Sequence, residues 1–123
     1  MYKNITIGEA NVPMLSTAAT NIYYKQIFRE DPLAIQTADA TEAEGIVLAQ
    51  RLAFVMAKQA EGQKAVNEGK AAKIRDYMQT INPDDDYIDW MDTLDFGELN
   101  DALPDVMSLY MAQQKTGSKS KNG

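Results

Sequence analysis

The chain has 123 residues, a formal net charge of −6, and neither cysteine nor histidine. Its length fits one domain with a real hydrophobic core. Without cysteine there is no disulfide, thiolate zinc site or cysteine nucleophile, and without histidine there is no Ser-His-Asp triad. No run of about 18 apolar residues occurs and the start lacks the apolar block of a signal peptide, so we expect a soluble intracellular protein with no membrane partner.

The charge is distributed unevenly along the chain. Ten acidic side chains and no Lys or Arg lie between positions 76 and 105, whereas Lys115, Lys119 and Lys121 follow Gln114 without any acid. A body this acidic repels phosphate backbones, so we expect no binding to nucleic acid.

Residues 2–15 predict a β-hairpin. Isoleucines alternate with polar residues in the first half, residues 8–11 supply turn chemistry, and the apolar alternation resumes at Val12. Pro13 has no amide hydrogen to donate, so we expect its strand to be an edge. Because an isolated hairpin is marginal in water, two interpretations stay open: packing on helices of the same chain, or pairing of a free edge with another protomer.

Residues 16–31 predict a loop and then a helix of about ten residues with Thr20 as its N-cap. Aromatic and aliphatic side chains recur there at spacings of three and four and so share one face; they are Tyr23, Tyr24, Ile27 and Phe28. Asp31-Pro32 ends the helix, because the residue before proline disfavours the helical conformation. Residues 33–40 are expected to form a connection.

The segment from Thr41 to Glu61 predicts the central helix of the fold. Thr41 and Glu44 have the spacing of a capping box. The apolar residues that follow cover more than half of the helical wheel, which predicts a helix surrounded by other elements. We expect this helix to fray near Gly62, and a second helix to follow at roughly residues 70–80.

Asn82 and Pro83 predict the start of the next helix, because Asn is a good N-cap and proline fits the first helical position. One face of this helix carries apolar side chains and the opposite face carries aspartates. The apolar face is Tyr87, Ile88, Met91 and Leu94, with Trp90 at its margin, and the acidic face is Asp85, Asp89 and Asp92. A last helix is predicted from Glu98 to about Gln114, with a kink or restart near Ala102 caused by Pro104.

Together these elements predict a mostly helical α+β fold, with an N-terminal β-hairpin and about four to five helices around the central helix from Thr41 to Glu61. We expect residues 1–114 to form one domain. Residues 115–123 contain no apolar side chain and are predicted to be a disordered basic tail.

The acid-rich region is the only part of the sequence with candidate site chemistry. Paired carboxylates can act as general acid and base, or bind Mg²⁺ or Ca²⁺. Here, however, apolar residues interrupt the acids at helical period, which departs from the alternate spacing of an EF-hand loop. We therefore interpret the acids as a solvated helical face and expect no catalytic residue, no metal site, no cofactor and no enzyme activity.

An alternative interpretation is an acidic DNA mimic, or another inhibitory module, that occupies a nucleic-acid-binding protein. A third is an interaction protein that covers apolar surface of another chain. The seven methionines agree with this third interpretation, because the unbranched thioether side chain repacks easily against different partners.

Three blocks of the sequence resemble, in order, the tail assembly chaperones of long-tailed phages and prophages of Gram-positive bacteria. The blocks are MLSTAATNIYYKQIFREDPL (Met14 to Leu33), LAFVMAKQAE (Leu52 to Glu61) and YIDWMDTLDFGELNDALPDVMSLYMAQQKTGSKSK (Tyr87 to Lys121). That family typically has a strand pair, a YKQIF-like aromatic helix, a LAYVMA-like buried helix, a W-x-x-x-x-DF helix, and a proline-broken helix before a Thr/Ser/Lys tail. Residues 62–82 depart from the pattern, because they are longer and more polar than the connection expected there.

The resemblance implies a non-catalytic assembly factor that binds the long, apolar tape-measure protein, keeps it soluble and helps to recruit tail tube subunits. It also implies self-association to a homo-oligomer. Many members are made in a longer form by a programmed frameshift, and the extra domain recruits the tail tube protein. Such a factor acts in the cytoplasm of the bacterial host and is not expected in the mature virion.

For such a protein we expect the client surface on the aromatic helix and the last helix. The residues predicted to build it are Tyr23, Tyr24, Ile27, Phe28, Met107, Tyr110 and Met111. A surface of aromatic and methionine side chains covers apolar segments of a client, while the acidic body keeps the complex in solution.

Overall fold

A computed structural model describes residues 1–37 and 41–122, with side chains described for 1–34 and 41–112. The described elements are strands β1 (Tyr2–Ile7) and β2 (Ala10–Leu15) and helices α1 (Thr20–Phe28), α2 (Pro32–Thr37), α3 (Glu42–Asn67), α4 (Ile74–Met78), α5 (Pro83–Asp92) and α6 (Phe96–Asn122). The mostly helical α+β class predicted from the sequence is confirmed. The described part of the chain has six helices where four to five were predicted.

The two strands form an antiparallel hairpin that lies on the helices of its own chain. The turn includes Gly8, whose φ of 62° is in the left-handed region that favours glycine. A Cβ at that position would also meet the carboxylate of Glu98. The hairpin packs against α3 and α6, and its buried side chains are Ile5, Ile7 and Met14.

Helix α3 is the centre of the fold. Its capping box is present as predicted: Glu44 N donates to Thr41 Oγ1 at 3.1 Å, and Thr41 N donates to Glu44 Oε1 at 3.1 Å. The middle of the helix is buried on all sides, from Leu52 to Ala57. The hairpin and helices α1, α2, α4 and α6 all pack on it, which confirms the predicted central helix.

The predicted end of this helix is wrong, because α3 continues through Gly62 to Asn67. Gly62 is buried where α4 crosses the helix, and a Cβ there would lie 3.2 Å from side-chain atoms of both Ile74 and Tyr77. Glycine at this position therefore permits a close helix contact and does not terminate the helix. The next helix, predicted at about residues 70–80, is shorter and spans Ile74–Met78.

Thr20 is the first residue of α1 and does not serve as its N-cap, which is Ala19. The Thr20 hydroxyl instead belongs to a buried network: it accepts from Thr17 N at 3.0 Å and donates to Gln59 Oε1 at 2.8 Å. Gln59 Nε2 in turn donates to Thr17 Oγ1 at 3.1 Å. The two bonds to Gln59 attach the start of α1 to α3, and they join residues 39 and 42 positions apart in the sequence.

The connection predicted at residues 33–40 is partly helical. Pro32 takes the first position of α2, and the Asp31 carboxylate accepts from Leu33 N at 3.0 Å. Proline suits this position because its missing amide hydrogen has no partner in a first turn. Residues 38–40 of the predicted connection lie outside the described residues.

The predicted start of α5 is confirmed, since Asp84 N and Asp85 N donate to Asn82 Oδ1 at 3.0 and 3.1 Å and Pro83 follows the cap.

Helix α6 differs from the prediction at its start, and of the kink or restart predicted near Ala102 only the restart is contradicted, while the kink stays a prediction. It begins at Phe96 instead of Glu98, with the Asp95 carboxylate accepting from Glu98 N at 3.0 Å. It also runs through Pro104 without a restart near Ala102. Proline removes one donor from the helix, whereas packing of α6 on α3 buries several apolar residues on both sides of it, including Leu99, Leu103 and Val106.

The backbone of the predicted C-terminal tail continues α6 as far as Asn122. Side chains from residue 113 onward lie outside the described residues. The predicted disorder of residues 115–123 stays a prediction.

Candidate interaction surface

Five aromatic rings pack together where helices α1, α3 and α5 meet. Helix α1 contributes Tyr24 and Phe28, and α5 contributes Tyr87 and Trp90, each pair sharing one helix face. Phe54 of α3 lies between them. Neighbouring ring centroids are 5.1 to 6.0 Å apart, with tilted or edge-to-face planes, the arrangement favoured by the ring quadrupoles. This cluster holds α5 against α1 and α3.

The cluster corrects the predicted orientation of α5. Trp90, predicted at the margin of the apolar face, packs on Phe54. Ile88, predicted on that face, is 59% exposed. The helix is therefore rotated relative to the prediction, because the large indole ring buries more apolar area than the isoleucine side chain does.

Arg51 connects α3 to the end of α1. Its guanidinium group bonds the carboxylate of Glu30 and lies over the ring of Phe28, with Cζ 5.0 Å from the ring centroid. Burial raises the pKa of both Tyr24 and Tyr87, and the nearby positive charge of Arg51 opposes this rise. Both phenols therefore stay neutral near pH 7 and contribute packing instead of proton transfer.

Three of the seven residues predicted for the client surface are buried. The exposed fraction is 0% for Tyr24, 7% for Ile27 and 1% for Tyr110. The Tyr110 hydroxyl donates to Asn21 Oδ1 at 2.5 Å, which joins α6 to α1 at the place where the groove was predicted. The predicted groove that includes Tyr24 and Tyr110 is therefore wrong for this structure, because both rings pack into the core, whereas Ile27 keeps a small accessible area at the edge of another groove.

The other four predicted residues remain at least partly accessible. Tyr23, Phe28 and Met107 are partly buried against the core, and Met111 is 37% exposed. Partner binding through these four stays a prediction. Of them, Phe28 lies beside a groove that the sequence did not predict.

This groove runs between α1 and α5 and has a volume of about 530 Å³. We call it the α1–α5 groove. Its lining residues are Ile27, Phe28, Arg29, Arg51, Pro83, Asp84, Tyr87 and Ile88. A second depression, of about 670 Å³, lies on the outer side of α1 and is lined by Ile22, Lys25, Gln26 and Arg29. Arg29 lines both, so the two depressions adjoin at its side chain.

The surface around the two depressions combines apolar side chains with opposite charges on its two sides. Ile22 on α1 is 57% exposed, similar to Ile88 on α5. Lys25 and Arg29 give the α1 side positive charge, and Asp84 gives the α5 side negative charge. Within the described residues, none of these three charged groups takes part in an ion pair. The surface therefore offers apolar contact together with unpaired charges of both signs.

Arg29 has an unusual backbone conformation at the edge of this surface. It ends α1 with φ 60° and ψ 31°, and its N–H donates to Lys25 O at 2.9 Å. Glycine is the common residue at such a left-handed position, and another residue type costs of order 1 kcal/mol there. Within the described part of the chain it has the only positive φ outside glycine.

Sequence reasoning missed Ile22, Arg29 and Ile88 as surface residues. A signal for Arg29 was present, because the chain must turn between Phe28 and Pro32 without any glycine. For the two isoleucines there was no signal, since helical spacing alone assigns either of two adjacent stripes to the core.

Within the described residues, no group of three or more His, Cys, Asp or Glu side chains has the geometry to hold a metal ion. None of the helices in that part of the chain has the length and apolar character needed to cross a bilayer.

Comparisons with protein-family models, curated proteins and solved structures found no match.

Proposed function

We propose that this protein is a non-catalytic phage tail assembly chaperone that binds the tape-measure protein, keeps it soluble and helps to recruit tail tube subunits. The observation that carries the proposal is the α1–α5 groove, where exposed apolar side chains on a strongly acidic body are available to a client. Apolar surface of this kind is a common mark of a protein interaction site. The identity of the client, the tape-measure protein, rests on the resemblance of the three sequence blocks to the tail assembly chaperones.

The groove suits a helical client segment. The aromatic rings of Phe28 and Tyr87 form part of its lining and supply a large contact area at low cost in side-chain entropy. Ile88 adds an exposed apolar side chain to the lining. The net charge of −6 favours solubility of a complex that contains a long apolar chain.

The wider proposal follows the resemblance. The protein self-associates, acts in the cytoplasm of the bacterial host, and recruits the tail tube protein through a frameshift-extended form. The acidic DNA-mimic alternative has less support, because Tyr87 and Trp90 within the acidic segment pack on the core and leave acids on one side only.

Co-expression with the tape-measure protein encoded in the same gene cluster tests the proposal. We expect the wild-type chain to keep that client in the soluble fraction and to co-purify with it. Ile88→Ser should reduce both, because it removes an exposed apolar contact without emptying the core. Val47→Ser is the matched control, since Val47 is also exposed but lies outside the groove.

One result would count against the function, and another would count against the groove as the binding surface. If the wild-type chain leaves the client insoluble and does not co-purify with it, the chaperone proposal fails. If Ile88→Ser and Val47→Ser both behave as the wild type does, the client binds this chain at a surface other than the groove.

A further inference from the structure

The α1–α5 groove and the adjoining side of α1 form a surface that is complementary to itself. Positive charge lies on the α1 side, negative charge lies on the α5 side, and one exposed isoleucine lies on each helix. An isologous dimer requires this property, because the same patch of each copy must match the patch of the other.

A two-fold axis across the groove would place α1 of each copy against α5 of the other. Arg29 of each copy would then face Asp84 of the other, and Ile22 and Ile88 would meet across the axis and leave water. The charges gain partners that the described residues of a single chain do not provide.

We infer that, in the absence of client, the α1–α5 groove is occupied by the same groove of a second copy of this chain. The inference deepens the self-association included in the proposed function and assigns it to a surface. A soluble chaperone with an empty apolar groove gains from covering it, and a second copy is the one occupant whose complementary charges are known from this sequence.

The edge of β2 is a less suitable surface for this contact. Pro13 lies in β2 opposite Asn4, and it has no amide hydrogen for a neighbouring strand. Pairing along that edge would leave a gap in its hydrogen bonds.

Arg29 ends α1 at a left-handed backbone position that glycine would adopt with less strain. In the dimer, its side chain supplies the positive charge facing Asp84 of the other copy.

Sedimentation equilibrium over a range of protein concentrations tests the inference with this chain alone. We expect a reversible monomer–dimer equilibrium that weakens as salt is added. Arg29→Glu and Asp84→Lys should each raise the dimer dissociation constant by about tenfold or more, because each places like charges opposite one another twice. The double variant should return to near the wild-type constant, because both charges are reversed together.

Lys73→Glu and Asp101→Lys are the matched controls, since they make the same charge changes at residues that do not line the groove. They should leave the dissociation constant within about twofold of the wild type. Circular dichroism of every variant verifies that the helices are intact.

Three outcomes would overturn the inference: a monomer at all concentrations, a dimer that is insensitive to both single reversals, or a double variant as weak as the singles. The first also removes self-association from the proposed function, whereas the other two leave self-association on another surface. Client binding is measured separately by co-expression, so its failure is distinguishable from each of these.

Discussion

Alanine substitutions at two glycines of helix α3 separate the effect of helix propensity from the effect of packing. In a helix interior, alanine is favoured over glycine by about 1 kcal/mol. A Cβ at Gly45 would meet nothing within 4 Å. We therefore expect Gly45→Ala to raise the free energy of unfolding by about 0.5–1 kcal/mol.

The same substitution at Gly62 should have the opposite sign. Its Cβ would lie 3.2 Å from Ile74 Cγ2 and 3.2 Å from Tyr77 Cδ2, so these two side chains of helix α4 must shift by a few tenths of an ångström. Overpacking of this kind costs about 1–3 kcal/mol, which exceeds the gain in propensity. The expected net effect of Gly62→Ala is a loss of up to about 2 kcal/mol.

Urea unfolding followed by far-UV circular dichroism gives both free energies. For a domain of this size, 1 kcal/mol corresponds to a shift of about 4 °C in the thermal midpoint, so the two variants separate clearly in a melting experiment. The sites are 17 positions apart in one helix, or about 25 Å, so the double variant should be additive within about 0.5 kcal/mol. An equal stabilisation by both substitutions would refute the close contact between α3 and α4.

Three further predictions concern single side chains. Thr20→Val should lower the free energy of unfolding by about 1–3 kcal/mol, because it leaves the partly buried amide of Thr17 and the buried carboxamide oxygen of Gln59 without their partner. Thr6→Val, at an exposed position, is the control and should have little effect in the same urea titration. Arg29→Gly should raise the free energy of unfolding by about 0.5–1 kcal/mol, because glycine relieves the strain of the left-handed conformation. A free energy of unfolding below that of the wild type would contradict this conformation of Arg29. Burial, together with the hydrogen bond to Glu61, raises the pKa of Tyr77. The folded phenol then keeps its proton where the unfolded one loses it, so this stability is complete below about pH 10 and falls as the pH rises further. Above about pH 10, the free energy of unfolding should fall less steeply with rising pH in Tyr77→Phe than in the wild type. Equal slopes would show that Tyr77 does not contribute to this pH dependence.

Local chemistry in the sequence was sufficient for several elements. Thr41 and Glu44 form the predicted capping box, and Asn82 caps α5 as predicted. The hairpin and the central helix also follow from the sequence, because alternation and a broad apolar stripe are properties of neighbouring residues. These features depend on residues a few positions apart, so a single sequence contains the information for them.

The candidate surface was predicted only in part. Ile27 and Phe28 were named in advance and line the groove, but Tyr24 and Tyr110, named with them, are core residues. Aromatic residues on one helical face indicate burial and binding equally well, since both remove apolar area from water. Distinguishing the two requires knowledge of what packs on that face.

The sequence by itself determined the fold class, the central helix, the principal caps and the exclusion of histidine and cysteine chemistry. Tertiary structure decided that α3 passes through Gly62, that Thr20 bonds Gln59 instead of capping α1, and which side of α5 is exposed. The physical reason is range: caps and periodicity depend on residues a few positions apart, whereas close contacts, buried networks and grooves depend on residues that the fold brings together.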